Sequence, residues 1–136
     1  MNRRSFVIAM MSFIAVPRAR AQTGATRTQI DLALASASLA ALRTRYGESY
    51  PDVVAARERI ASLAASLRES QTHHEAIDLA AVTSALDTEL ADVRARLGEF
   101  GTRCGGGHPD MLTARARETA LVEALSHVTS DGIFLP

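Results

Sequence analysis

Two clusters in this chain carry residues able to bind a metal. His73 and His74 are adjacent, with Glu75 and Asp78 close behind. On a helix, neighbouring side chains point about 100° apart, so the two imidazoles cannot grip one ion together. His74 and Asp78 share a face, which gives two ligands where a stable site needs three or four. The second cluster is Cys104-Gly105-Gly106-Gly107-His108. Its thiol and imidazole suit zinc or copper, and the glycines would let a loop wrap an ion. The same loop leads into a helix start, where backbone N–H groups could cradle an anion. It lacks the Gly-Lys-Ser/Thr ending and the preceding strand of a phosphate loop. Against both readings stands a plainer one, polar residues at a helix junction and a flexible inserted loop. The metal candidates are therefore His73, His74, Cys104 and His108.

The arginines form a third set. All 15 basic residues are arginine, none lysine. Arg43, Arg45, Arg57 and Arg59 flank one loop region, and Arg94, Arg96, Arg115 and Arg117 flank another. They could grasp acidic saccharides or phosphates. Pairing with Glu48, Glu58, Glu99 and Glu118 on solvated faces is the simpler expectation, each pair contributing only tenths of a kcal/mol. No serine, cysteine or carboxylate has the company that a nucleophile or acid–base pair requires. The sequence therefore points away from catalysis, and no cofactor is implied. One cysteine excludes a disulfide framework, a four-cysteine zinc site or a cysteine-ligated iron–sulfur cluster within one chain.

The first segment, Met1 to Ala21, reads as an export signal: Arg3 and Arg4, an apolar run from Phe6 to Val16, then Ala19-Arg20-Ala21 before Gln22. As a helix that run would cover roughly 16 Å, about half of a bilayer's hydrocarbon core, so no stable membrane anchor is expected. Asn2-Arg3-Arg4-Ser5-Phe6-Val7 resembles the twin-arginine export signal, and Arg18 and Arg20 suit that route better than the general secretory one. Either route leads to a periplasmic or secreted protein. Beyond Ala21 the chain carries 11 Arg against 15 Asp and Glu, a net charge of −4. Interspersed signs and an acidic balance leave no footprint for nucleic acid or for an anionic membrane surface. In an oxidising compartment Cys104 could cross-link two copies into a homodimer.

The elements that position these groups are legible as a repeat within residues 22–136. Leu39-Ala40-x-Leu42-Arg43-Thr44-Arg45-Tyr46-Gly47-Glu48 matches Leu90-Ala91-x-Val93-Arg94-Ala95-Arg96-Leu97-Gly98-Glu99. Pro51-Asp52-Val53-Val54-x-Ala56-Arg57-x-Arg59 matches Pro109-Asp110-Met111-Leu112-x-Ala114-Arg115-x-Arg117. The second unit carries seven extra residues between its blocks, expected as a longer central loop. Each unit reads as a helical hairpin, covering about 28–71 and 75–130. The seams are Leu32, Ala35, Leu39, Leu42, Tyr46 against Val53, Ala56, Ile60, Leu63, Leu67, and Leu79, Leu86, Leu90, Val93, Leu97 against Met111, Ala114, Leu121, Leu125, Val128. Gly47 is placed to end the first helix with positive φ. Pro51 fits a first helical turn with Asp52 at the positive end of the dipole. Thr72-His73-His74-Glu75 has the form of a capping box that starts a third helix, although no glycine or proline interrupts Asp52 to Leu97. Gly132 is a stop, and Ile133-Phe134-Leu135 either caps the bundle or forms a contact.

The block Tyr46-Gly47 followed by Tyr50-Pro51-Asp52-Val53, and its partner Leu97-Gly98 followed by His108-Pro109-Asp110-Met111, resembles the periplasmic coiled-coil hairpin of polysaccharide co-polymerases, the chain-length determinant proteins. The resemblance is confined to that hairpin element. It implies a helix–turn–helix reaching into the envelope and a cell-envelope polysaccharide context. Taken together, the sequence predicts an all-α protein, two tandem hairpins forming a four-helix bundle or an elongated coiled coil. Its expected role is an exported, non-catalytic binding or scaffolding protein with an envelope protein partner. The alternative is a small periplasmic metal-binding or chaperone-like protein.

Overall fold

The computed structural model describes residues 23–136; Met1 to Ala21, which the sequence reads as an export signal, lies outside the described residues. Four helices follow in order: α1 (Gly24–Arg43), α2 (Pro51–Thr72), α3 (Leu79–Arg103) and α4 (Pro109–Asp131). The protein is all-α, and the helices pack as two hairpins, α1 on α2 and α3 on α4, joined through α1. Among the described residues no helix is long and apolar enough to cross a membrane.

Local chemistry accounts for most boundaries. Pro51 and Pro109 open α2 and α4, with Asp52 and Asp110 in the first turns. There the missing N–H costs nothing and a carboxylate meets the positive helix end. Gly132 ends α4 in the left-handed region at φ 74°, its N–H donating to the Val128 carbonyl. Asp52 to Leu97 is two helices. α2 closes with the N–H of Glu75 on the Ser70 carbonyl and that of His74 on Gln71, and His74 takes the left-handed position at φ 57°. This is the double-bonded helix ending that normally recruits glycine.

Three boundaries differ from the sequence expectation. Thr72 does not cap α3. It closes α2, its hydroxyl donating back to the Arg68 carbonyl, and the cap is Asp78, whose carboxylate accepts from the Ala81 N–H at 3.1 Å. Gly47 does not end α1, which stops at Arg43 with Thr44 as cap; His74 and Gly132 are the positive-φ residues among those described. Its counterpart Gly98 lies inside α3. The seven extra residues of the second unit lengthen α3 rather than the loop, which is confined to the stretch between Arg103 and Pro109. The extension keeps the helical ladder intact while half-burying Phe100, so more helix is favoured over more loop.

α1 is the centre of the molecule. Every residue from Thr28 to Leu42 is buried or half-buried, and α1 packs on all three other helices. Its Ala/Ser/Leu sequence has no one apolar stripe because neighbours surround it, and small side chains let them approach closely. α2 is the opposite case. Among the described residues it approaches only α1, burying one narrow stripe that includes Val53, Ala64 and Leu67, with Ile60 and Leu63 half-buried beside them. The core joins Leu32, Ala33 and Ala37 of α1 to Leu67, to Val82, Leu86 and Val93 of α3, and to Leu121, Ala124 and Val128 of α4. Two expected seam residues are exposed instead: Tyr46 lies in the loop beyond α1, 38% exposed, and Leu79 at the first turn of α3 is 42% exposed.

The pole opposite the hairpin loops is sealed by polar groups that are fully buried. The Gln29 side chain donates to the Phe134 carbonyl at 3.0 Å and accepts from the Phe134 N–H at 3.2 Å. Thr26 Oγ1 accepts from the Asp78 N–H at 2.9 Å, and the Thr23 hydroxyl contacts both Thr26 Oγ1 and the Ala76 carbonyl. The C-terminal tail thus caps the bundle, with Phe134 buried and Ile133 packed on the core.

Candidate binding surfaces

Helix direction decides where the candidate ligands fall. α2 runs away from the hairpin loops and delivers His73 and His74 to the sealed pole. α3 runs back and delivers Cys104 and His108 to the loop pole. Helices of this length separate the two pairs by about 30 Å. The structure therefore does not bring the four residues together. His74 shapes the end of α2, while His108 caps α4, its Nδ1 accepting from the Asp110 N–H at 3.2 Å. Cys104 is half-buried. Among the described residues no group of three or more His, Cys, Asp or Glu could hold one metal ion.

The arginines are mostly engaged within the chain at the loop pole. Arg43 contacts Glu48 at 2.7 Å and Arg57 reaches the same carboxylate at 3.4 Å. The hydrogen bond from Arg43, with the charges of Arg43 and Arg57, lowers the Glu48 pKa against the opposing effect of desolvation. Arg94 pairs with Glu118 at 2.9 Å. Two pairings differ from expectation. Arg45 crosses from the first hairpin to Asp110 and Thr113 of α4, and Arg117 binds Glu89 of α3 at 2.6 Å and Ser38 of α1 at 2.9 Å. These contacts knit the two hairpins together, which is information no single helix contains. Tyr46 and Tyr50 stack at 4.1 Å across the first loop.

Among the described residues, concavities border α1 at the loop pole and along α2. A cleft of about 280 Å³ at the loop pole has Arg45, Arg96 and Arg117 around a floor that includes Ala41, Val93 and Phe100. Two of its three guanidinium groups are already neutralised by Asp110 and Glu89. A groove of about 400 Å³ runs between α1 and α2, lined by Asp31, Leu34, Ala35 and Ser38 on one side and by Ala55, Ala56 and Arg59 on the other. It exists because, among the described residues, α2 stands on α1 alone and no second helix closes that flank. A chemistry of small apolar groups between one acid and one base suits a helix or an extended segment better than a compact charged ligand.

Sequence reasoning missed Thr26 and Gln29. The signal was present: Thr26, Gln29 and Leu32 continue the core face of α1 in three-residue steps, placing polar side chains at buried positions. Such side chains must find partners. Comparison with family models, with curated proteins and with solved structures finds no match for this chain.

Proposed function

We propose that this chain is an exported, non-catalytic helical binding or scaffolding protein of the bacterial cell envelope. The observation that carries the reading is the one-sided attachment of α2, which leaves an open groove along α1 with Asp31 and Arg59 at its edges. In a closed four-helix bundle each helix packs around the common core, whereas α2 packs on α1 alone among the described helices. Here one flank of α2 is left for a partner, and an amphipathic segment with small apolar anchors is the occupant that this lining fits. Residues Met1 to Ala21 supply the export reading, and the hairpin resemblance to chain-length determinant proteins supplies the envelope context.

The test is site-specific photo-cross-linking in cells, with the cross-linker at Ala55 in the groove or at Ala95, exposed on α3, as control. The reading expects an envelope protein captured from Ala55 and not from Ala95, with capture lost in Arg59→Glu. Retention of the chain in the cytoplasm, or equal capture from both positions, overturns it. The metal-binding alternative draws no support from the placement of His73 and His74 at one pole and Cys104 and His108 at the other.

A further inference from the structure

The outer face of α2 carries a second heptad stripe, distinct from the one on α1. Val54, Glu58, Ala61, Ala65, Arg68 and Thr72 follow one another at alternating four- and three-residue steps, and all six are exposed. Val54, Ala61 and Ala65 supply its apolar positions, at the spacing by which one helix lies along another, and Glu58 and Arg68 flank the two alanines. Glu58 has only Val54, Ala55, Ala61 and Ser62 at its three- and four-residue neighbours, and Arg68 has only Ala64, Ala65, Gln71 and Thr72. Neither charge can pair within its own helix. Neither has an ion-pair partner elsewhere among the described residues, so both charges are free to face a second molecule.

The stripe is complementary to itself when reversed. Laid antiparallel on a copy, Ala61 meets Ala65, Glu58 meets Arg68 and Val54 meets Thr72, each layer occurring twice about one two-fold axis. We propose that the outer face of α2 pairs antiparallel with the same face of a second copy of this chain. The central alanines let the helices approach closely, because interhelical distance follows the size of the contacting side chains. The Glu58–Arg68 layers on either side set the direction and register. A parallel alignment of the same stripe would oppose Glu58 to Glu58 and Arg68 to Arg68, which like charges disfavour. Such self-matching is what a two-fold dimer interface requires. The face is separate from the α1–α2 groove, whose Ala55 and Arg59 lie further round the helix, so the pairing goes beyond the function proposed above and leaves that groove open.

The experiment is light scattering and sedimentation of the purified protein, with a reductant present so that Cys104 cannot cross-link. A dimer is expected. Glu58→Arg sets arginine against Arg68 in both layers and is expected to weaken association by roughly ten-fold or more, with helix content unchanged. Adding Arg68→Glu reverses the polarity of both layers and is expected to restore the dimer. A monomer at every concentration reached, a dimer indifferent to Glu58→Arg, or a double variant no better than the single one overturns the proposal.

Discussion

The two poles of the bundle are held by different physics. At the loop pole the hairpins are tied by ion pairs in or near solvent: Arg43 and Arg57 on Glu48, Arg45 on Asp110 and Arg94 on Glu118. At the sealed pole, Gln29 and Thr26 are fully buried, the Gln29 amide is bonded to the Phe134 backbone and the Thr26 hydroxyl accepts from the Asp78 N–H, and Phe134 closes the end. Exposed ion pairs contribute little because water screens them and long side chains lose entropy. Buried hydrogen bonds contribute little net either, but leaving one unmade is expensive. The bundle should therefore tolerate change at its loops and resist it at the opposite end.

Phe134→Ala should break that asymmetry most strongly. It empties a buried aromatic site under the tail and should destabilise the protein by about 3 kcal/mol, measured by urea unfolding. Gln29→Leu preserves much of the volume but strands the N–H and carbonyl of Phe134. A loss of about 1–3 kcal/mol is expected, with amide exchange of Phe134 accelerated toward that of a free terminus. His74→Gly works in the other direction at the same pole. A glycine takes the left-handed position without the steric penalty of a side chain, so a gain of about 1 kcal/mol is expected in thermal or urea unfolding.

Glu48→Gln at the loop pole should change stability at neutral pH least of all. Its effect should also depend on pH with a definite sign. The folded carboxylate has a pKa below its ordinary value of 4.5, so it binds its proton less readily folded than unfolded. Whatever it contributes is present above pH 4.5 and is lost as pH falls through the lowered value. The difference between Glu48→Gln and the unaltered protein should therefore close in acid. A difference that persists there would move the effect from charge to packing.

Helix identity was largely legible because its determinants are local. Pro51 and Pro109 with their following aspartates, Gly132, and the seam of Val53, Leu63 and Leu67 each act within one or two turns. The misreadings share a cause. Gly47 and Gly98 look equivalent in the repeat, yet α1 stops before one and α3 runs through the other. Phe100, beyond Gly98, finds a place against the rest of the bundle, whereas Tyr46 finds its partner in Tyr50. Thr72 and Asp78 are both competent caps, and the choice went to the residue preceding a chain that could turn back onto Thr26. Of the metal candidates, nothing in the spacing from His74 to Cys104 reveals that one helix direction puts them at opposite ends.

The amino-acid sequence by itself determined four helices, their pairing into hairpins and the side of α2, α3 and α4 that turns inward. Periodicity, capping and turn chemistry act over a few residues and do not depend on the rest of the chain. Only the tertiary structure decided that α1 is enclosed by three neighbours while α2 leans on one, that Gln29 locks the tail, and that Arg45 and Arg117 bridge the hairpins. Those outcomes depend on which surfaces meet, and an alanine-rich helix such as α1, with small side chains on every side, accepts several neighbours equally well until the whole bundle closes.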